Sequence, residues 1–103
     1  MARKFKDVWG NSVDLTEERY AHLSEHPEMV GQEGKLAETL LEPDAVIQSK
    51  ADETVRLFHR FYQGLSIGDK HLCIVVKYLE SEVFIITAYF TDKVKRGEIL
   101  WPK

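Results

Sequence analysis

The spacing of apolar residues changes character near residue 43. Before it, Tyr20, Ala21 and Leu23, then Leu36, Ala37, Leu40 and Leu41, recur at the intervals that gather side chains on one face of a helix. This predicts one helix over about 16–25 and a second over about 32–42. Asp14-Leu-Thr-Glu17 marks the first start, because Asp14 or Thr16 can accept from free backbone N–H groups while Glu17 and Glu18 oppose the helix dipole. Pro27 stops that helix or opens the next turn, Gly31 and Gly34 weaken the following start, and Pro43-Asp44 ends the second helix.

Beyond Pro43 the period falls to two and β-branched and aromatic residues accumulate, which predicts strands over 45–49, 54–62, 71–79 and 82–90. Their separators, 50–53, 63–69 and Glu80-Ser81, are too short for parallel crossovers, so the strands should form an antiparallel meander. The expected fold is α+β: two N-terminal helices packed on a four-stranded antiparallel meander, with an extra C-terminal edge strand over Ile99–Trp101. All 103 residues read as one domain, with 1–12 and 92–103 peripheral.

Composition agrees with a single core. The chain is 44% hydrophobic and 30% charged, and at 103 residues it can bury roughly two thirds of its unfolded surface without disulfide or metal staples. No apolar run approaches the ~20 residues that span a bilayer, and Met-Ala-Arg-Lys-Phe-Lys6 lacks a signal peptide's apolar stretch, so a cytoplasmic location without membrane contact is expected. The lone Cys73, inside an apolar run, fits a reducing compartment and reads as core filler.

Charge is segregated. Residues 12–55 hold eleven acids and three bases, whereas 56–103 hold five acids and eight bases, so the formal −3 hides segments of −8 and +3. The total argues against non-specific coating of nucleic acid, yet one face can be locally cationic and receive an anionic ligand.

Alternation over 54–62 puts Val55, Leu57, His59 and Phe61 on one strand face and Arg56, Phe58, Arg60 and Tyr62 on the other. Arg56 and Arg60 beside aromatic rings form a composition that suits phosphate and nucleotide, although exposed strands also carry such charges for solubility alone. Lys77, Thr87, Tyr89 and Thr91 interrupt the apolar runs that follow; whether Lys77 and Thr87 share a face depends on the length of the loop after Tyr78, which sequence leaves open. His22 and His26 stand four apart on one helix face. With no Cys or third His at supporting spacing, no metal is expected there, and proton donation or acceptance is the better functional reading beside that of plain surface histidines.

In order along the chain, His22-Leu-Ser-Glu-His26-Pro-Glu-Met29, Thr39-Leu-Leu-Glu-Pro-Asp44, Phe58-His-Arg60-Phe-Tyr62, Leu72-Cys-Ile-Val-Val-Lys77, Phe84-Ile-Ile-Thr-Ala-Tyr89 and Gly97-Glu-Ile-Leu-Trp101 resemble the phage-associated branch of the barnase, EndoU, colicin and RelE-like (BECR-fold) nucleases over roughly residues 15–101. The resemblance implies a cofactor-free, metal-independent endoribonuclease of toxin or mobile-element type. Such an enzyme uses the 2′-hydroxyl of RNA as nucleophile and leaves a 2′,3′-cyclic phosphate. It further implies tRNA, ribosomal RNA or mRNA as substrate and an antitoxin or immunity protein as partner. Carried over by position, His22 and His26 become the acid–base pair and Arg60, supported by Arg56, holds the scissile phosphate. Thr87 donates to a phosphoryl oxygen, and Tyr62, Lys77 and Tyr89 contact substrate. His59, opposite Arg60, reads as a core or helix-contact residue. The alternative is a non-catalytic module that binds RNA, nucleotide or protein on the same fold.

Overall fold

The computed structural model describes residues 3–102. Strands β1 (Arg3–Lys6) and β2 (Ser12–Leu15) form a hairpin, followed by α1 (Glu17–Leu23), a 3-10 turn (Pro27–Met29) and α2 (Glu33–Leu41). Then come β3 (Ala45–Gln48), β4 (Val55–Leu65), β5 (Gly68–Tyr78), β6 (Val83–Thr91) and β7 (Ile99–Trp101). The strands make one sheet in the order β1-β2-β6-β5-β4-β3-β7.

The expected four-stranded meander is therefore corrected to a seven-stranded sheet. β3 to β6 do run antiparallel to their neighbours, but the helices are not an N-terminal pair: they are inserted between the first hairpin and β3. The hairpin joins the sheet through β2, which lies parallel to β6 with Asp14 beside Phe84. Two physical facts hid it. Each strand has four residues, too few for a clear period, and Asp14 reads as a cap although it is a strand residue bound to Lys4 at 2.9 Å. The cap of α1 is Thr16, whose hydroxyl accepts from Arg19 N–H.

The hairpin's turn is pinned by the buried Asp7. Its carboxylate accepts from the backbone N–H groups of Trp9 and Asn11 and from the Tyr78 hydroxyl at 2.6 Å. Burial and that acidic neighbour push the Tyr78 phenol well above its ordinary range.

Both helices cover one face of the sheet. Leu23, Met29, Leu36 and Leu40 pack with Phe58 of β4, Leu72, Ile74 and Val76 of β5 and Ile85 and Ala88 of β6, and the hairpin adds Val13 and Leu15. On β4 this is the set Arg56, Phe58, Arg60 and Tyr62. The other set, Val55, Leu57, His59 and Phe61, points to the face without helices, level with Lys77, Val75, Cys73 and His71 of β5.

The second face has a different cover. From Thr91, opposite His71, the chain must pass β5, β4 and β3 to reach its pairing of Ile99 with Ile47 at the far edge. Residues 92–98 make that passage on the helix-free side as an oblique strap, because the backbone N–H of Lys95 donates to His59 Nε2 at 3.1 Å. At the end of the strap Gly97 lies so close to the Gln48 carbonyl and the Ile47 side chain that a Cβ there would collide with both.

Candidate functional site

The residues singled out by sequence fall in three separate places. His22 and His26 lie on the solvent side of the helical layer, where they meet only acidic neighbours, Glu25 at 3.8 Å and Glu28 at 4.0 Å. Neither forms a hydrogen bond or ion pair with Arg56, Arg60 or Thr87.

Arg56, Arg60 and Tyr62 lie on the helix-covered face and are engaged there. Arg60 donates to the Glu42 carbonyl and pairs with Glu38 at 3.5 Å, so it ties the end of α2 to β4. The Tyr62 hydroxyl donates to Glu38 Oε1 at 2.7 Å and shares a hydrogen bond with the buried Thr39, and burial pushes its phenol up to about 12. Arg56 is layered between the rings of Trp9 and Tyr78, 4.8 and 4.1 Å from their centroids, which clamps the first turn to the middle of the sheet.

Lys77, Thr87 and Tyr89 share the helix-free face, and the register answers the question left open by the loop. Thr87 stands opposite Val75, two residues from Lys77 on the same strand face. Lys77 is occupied, however: its ammonium holds the Asp52 carboxylate at 2.7 Å and keeps that acid far below its usual range. Tyr89 stands opposite Cys73, and burial pushes the Cys73 thiol up to about 11, so it is inert as a thiolate nucleophile. The structure thus brings Lys77, Thr87 and Tyr89 to one surface, Arg56, Arg60 and Tyr62 to the opposite one, and leaves His22 and His26 apart from both.

What the helix-free face gathers was mostly missed from sequence. Phe61 is 41% exposed, and its ring meets that of His71 at 5.0 Å between centroids. His71 is half-buried with Nδ1 unpartnered, and Leu57, Val75, Thr87 and Tyr89 extend the same surface as half-buried residues. Over it runs the strap, whose Lys93, Lys95 and Arg96 are all exposed and form no ion pair among the described residues; with Thr91, Asp92 and Val94 they line an open hollow of about 480 Å³. One signal was available: three cations in four residues inside an acidic protein.

His59 is fully buried beneath this strap, on the side away from the helices. Burial, with His71 and Lys95 nearby, holds its imidazole down to about 4 against the pull of Asp44. It is therefore neutral near pH 7. Among the described residues no group of three or more His, Cys, Asp or Glu side chains is arranged to hold a metal ion, and no helix is long and apolar enough to cross a membrane. Comparison with family models, with curated proteins and with solved structures found no match for this chain.

Proposed function

We propose that the domain binds single-stranded RNA on the helix-free face of its sheet. The observation that carries this is the ring pair of exposed Phe61 and half-buried His71 beside three strap cations that form no ion pair among the described residues. Rings without a covering helix offer a stacking platform for bases, and neighbouring free cations offer a track for phosphates. The acidic helical layer faces the other way, so the molecule presents its cationic side at the platform. A cytoplasmic setting belongs to the same reading, since it supplies RNA and keeps Cys73 reduced.

The endoribonuclease implied by the resemblance is the second reading, and one observation favours it. His71 places a half-buried imidazole beside Phe61 on the platform; its Nδ1 is buried and without a partner among the described residues, so proton exchange with bound RNA falls to the other ring nitrogen. In this version the acid–base work moves from the helix histidines to the sheet, and the product remains a 2′,3′-cyclic phosphate.

The test uses the full chain and a fluorescein-labelled ten-nucleotide RNA followed by anisotropy, with the RNA afterwards resolved on a denaturing gel. Saturable binding that weakens when Lys93, Lys95 and Arg96 are all changed to Ala supports the platform. Equal affinity of wild type and triple variant overturns it. Intact RNA identifies a binding module, whereas fragments with cyclic-phosphate ends that disappear in His71→Ala identify the nuclease.

A further inference from the structure

The strap is fastened unevenly. At its start Asp92 pairs with Lys70 at 2.6 Å and Lys93 N–H returns to the Thr91 hydroxyl, and at its end the Gln48 N–H donates to the Glu98 carbonyl at 2.8 Å. Between these points, among the described residues, residues 94–96 have one hydrogen bond to the sheet, from Lys95 N–H to His59 Nε2. The middle of the strap rests on a single acceptor atom.

That atom's protonation state follows from its partner. A backbone N–H can only donate, so Nε2 must present its lone pair, and the proton of the neutral ring sits on Nδ1. Nδ1 is itself buried and has no hydrogen-bond partner among the described residues. A second proton would leave two N–H groups facing each other across 3.1 Å and place a full positive charge under Lys93, Lys95 and Arg96. Hydrogen bond and Coulomb interaction would then change in the same direction, both against the closed strap.

We propose that His59 is an acid-sensitive latch: protonation of Nε2 releases the middle of residues 92–98 from the sheet and uncovers the surface around His59 and Cys73. The proton comes from solvent, and the fastenings at the two ends of the strap act as its hinges. β3, through Ala45, adds no titratable group beside His59, but the other elements around it do. β5 supplies His71 and Cys73, β6 supplies Tyr89 opposite Cys73, the strap supplies Lys95, and the connection into β3 supplies Asp44. Asp44 alone favours the imidazolium, and its carboxylate is already engaged by Phe61 N–H at 2.7 Å. Burial of the ring and the positive neighbours oppose the charge while the strap is closed, so the proton is taken up as it opens. The latch needs no ligand and stands independently of the RNA-binding reading.

Amide hydrogen exchange of the full chain, read by NMR between pH 7 and pH 4.5 as protection factors corrected for intrinsic exchange, tests it. Lys95 protection should fall about tenfold per pH unit below roughly pH 6.5, the slope for uptake of one proton on opening, and should stay well below that of Ile74 in β5, which exchanges only on global unfolding. His59→Gln, whose side-chain oxygen can accept without titrating, should hold Lys95 protection flat. Lys95 protection that does not change with pH, or that falls equally in H59Q, overturns the latch. Should H59Q not fold, wild type alone decides: the Lys95 amide shift must follow the protonation of His59 Nε2 in long-range proton–nitrogen spectra with one midpoint, and separate midpoints overturn the proposal.

Discussion

Phe61 and His71 stand directly opposite each other on β4 and β5, their rings tilted at 54° with centroids 5.0 Å apart, on the face that no helix covers. The pair is amphipathic and partly exposed. It adds little to the core, which lies on the other side of the sheet around Phe58, Ile74 and Leu40. Phe61→Ala should therefore lower RNA affinity by about 1–3 kcal/mol, the worth of one base stacked on an aromatic ring. Anisotropy titrations of wild type and F61A, with thermal melts run beside them, check both halves of this expectation. A large loss of stability with unchanged affinity would assign the pair to folding instead.

The strap cations make a separate, salt-dependent prediction. Each phosphate neutralised on a single strand contributes about 0.7 to the slope of log K against log salt, so removing Lys93, Lys95 and Arg96 together should reduce that slope by about 2. Their side chains form no ion pairs among the described residues, so the triple variant should unfold at nearly the wild-type temperature. Titrations at four salt concentrations give the slope directly.

His59 ties stability to pH with a definite sign. Its imidazole ordinarily titrates at 6.5 and is held at about 4 in the folded chain, so the unfolded state binds more protons throughout that interval. The full contribution is present above pH 6.5, declines as pH falls, and is lost by about pH 4, with a total of order 3 kcal/mol for this fully buried group. Urea denaturation at pH 7.5, 6, 5 and 4.5 should show this decline, and H59Q should flatten it.

Tyr62 and the helix histidines separate structural from functional roles. Tyr62→Phe removes the donor to Glu38 and the partner of the buried Thr39, which should cost about 1–3 kcal/mol of stability while leaving RNA affinity unchanged. His22→Ala with His26→Ala should change stability by less than about 0.5 kcal/mol, because both side chains are exposed and meet only acidic neighbours at the limit of ion pairing. If the double variant instead abolished an RNA cleavage that wild type performs, the acid–base pair would return to the helix.

Local chemistry explains what could be read in advance. The positions of α1 and α2 and of the long strands β4, β5 and β6 follow from side-chain periods set within a few residues, and their short connections dictate antiparallel pairing. Alternation on β4 likewise separates Arg56, Phe58, Arg60 and Tyr62 from Val55, Leu57, His59 and Phe61. It does not say which set meets the helices, because each set contains a fully buried residue, Phe58 in one and His59 in the other.

That choice belongs to tertiary packing. Once Phe58 enters the core under α2, Arg60 and Tyr62 become anchors for the helix and cease to be a free phosphate clamp. The β1–β2 hairpin is decided at still longer range, since β2 finds its place beside β6 some seventy residues along the chain. The cationic strap became part of the site only because the chain must cross β5, β4 and β3 to pair β7 with β3. Local sequence settled the two helices, the long strands β4, β5 and β6 and where charge is concentrated, because those properties depend on neighbours in the chain. The three-dimensional fold alone decided which face is covered, and hence which residues are left to act, because covering a face depends on contacts between residues far apart in sequence.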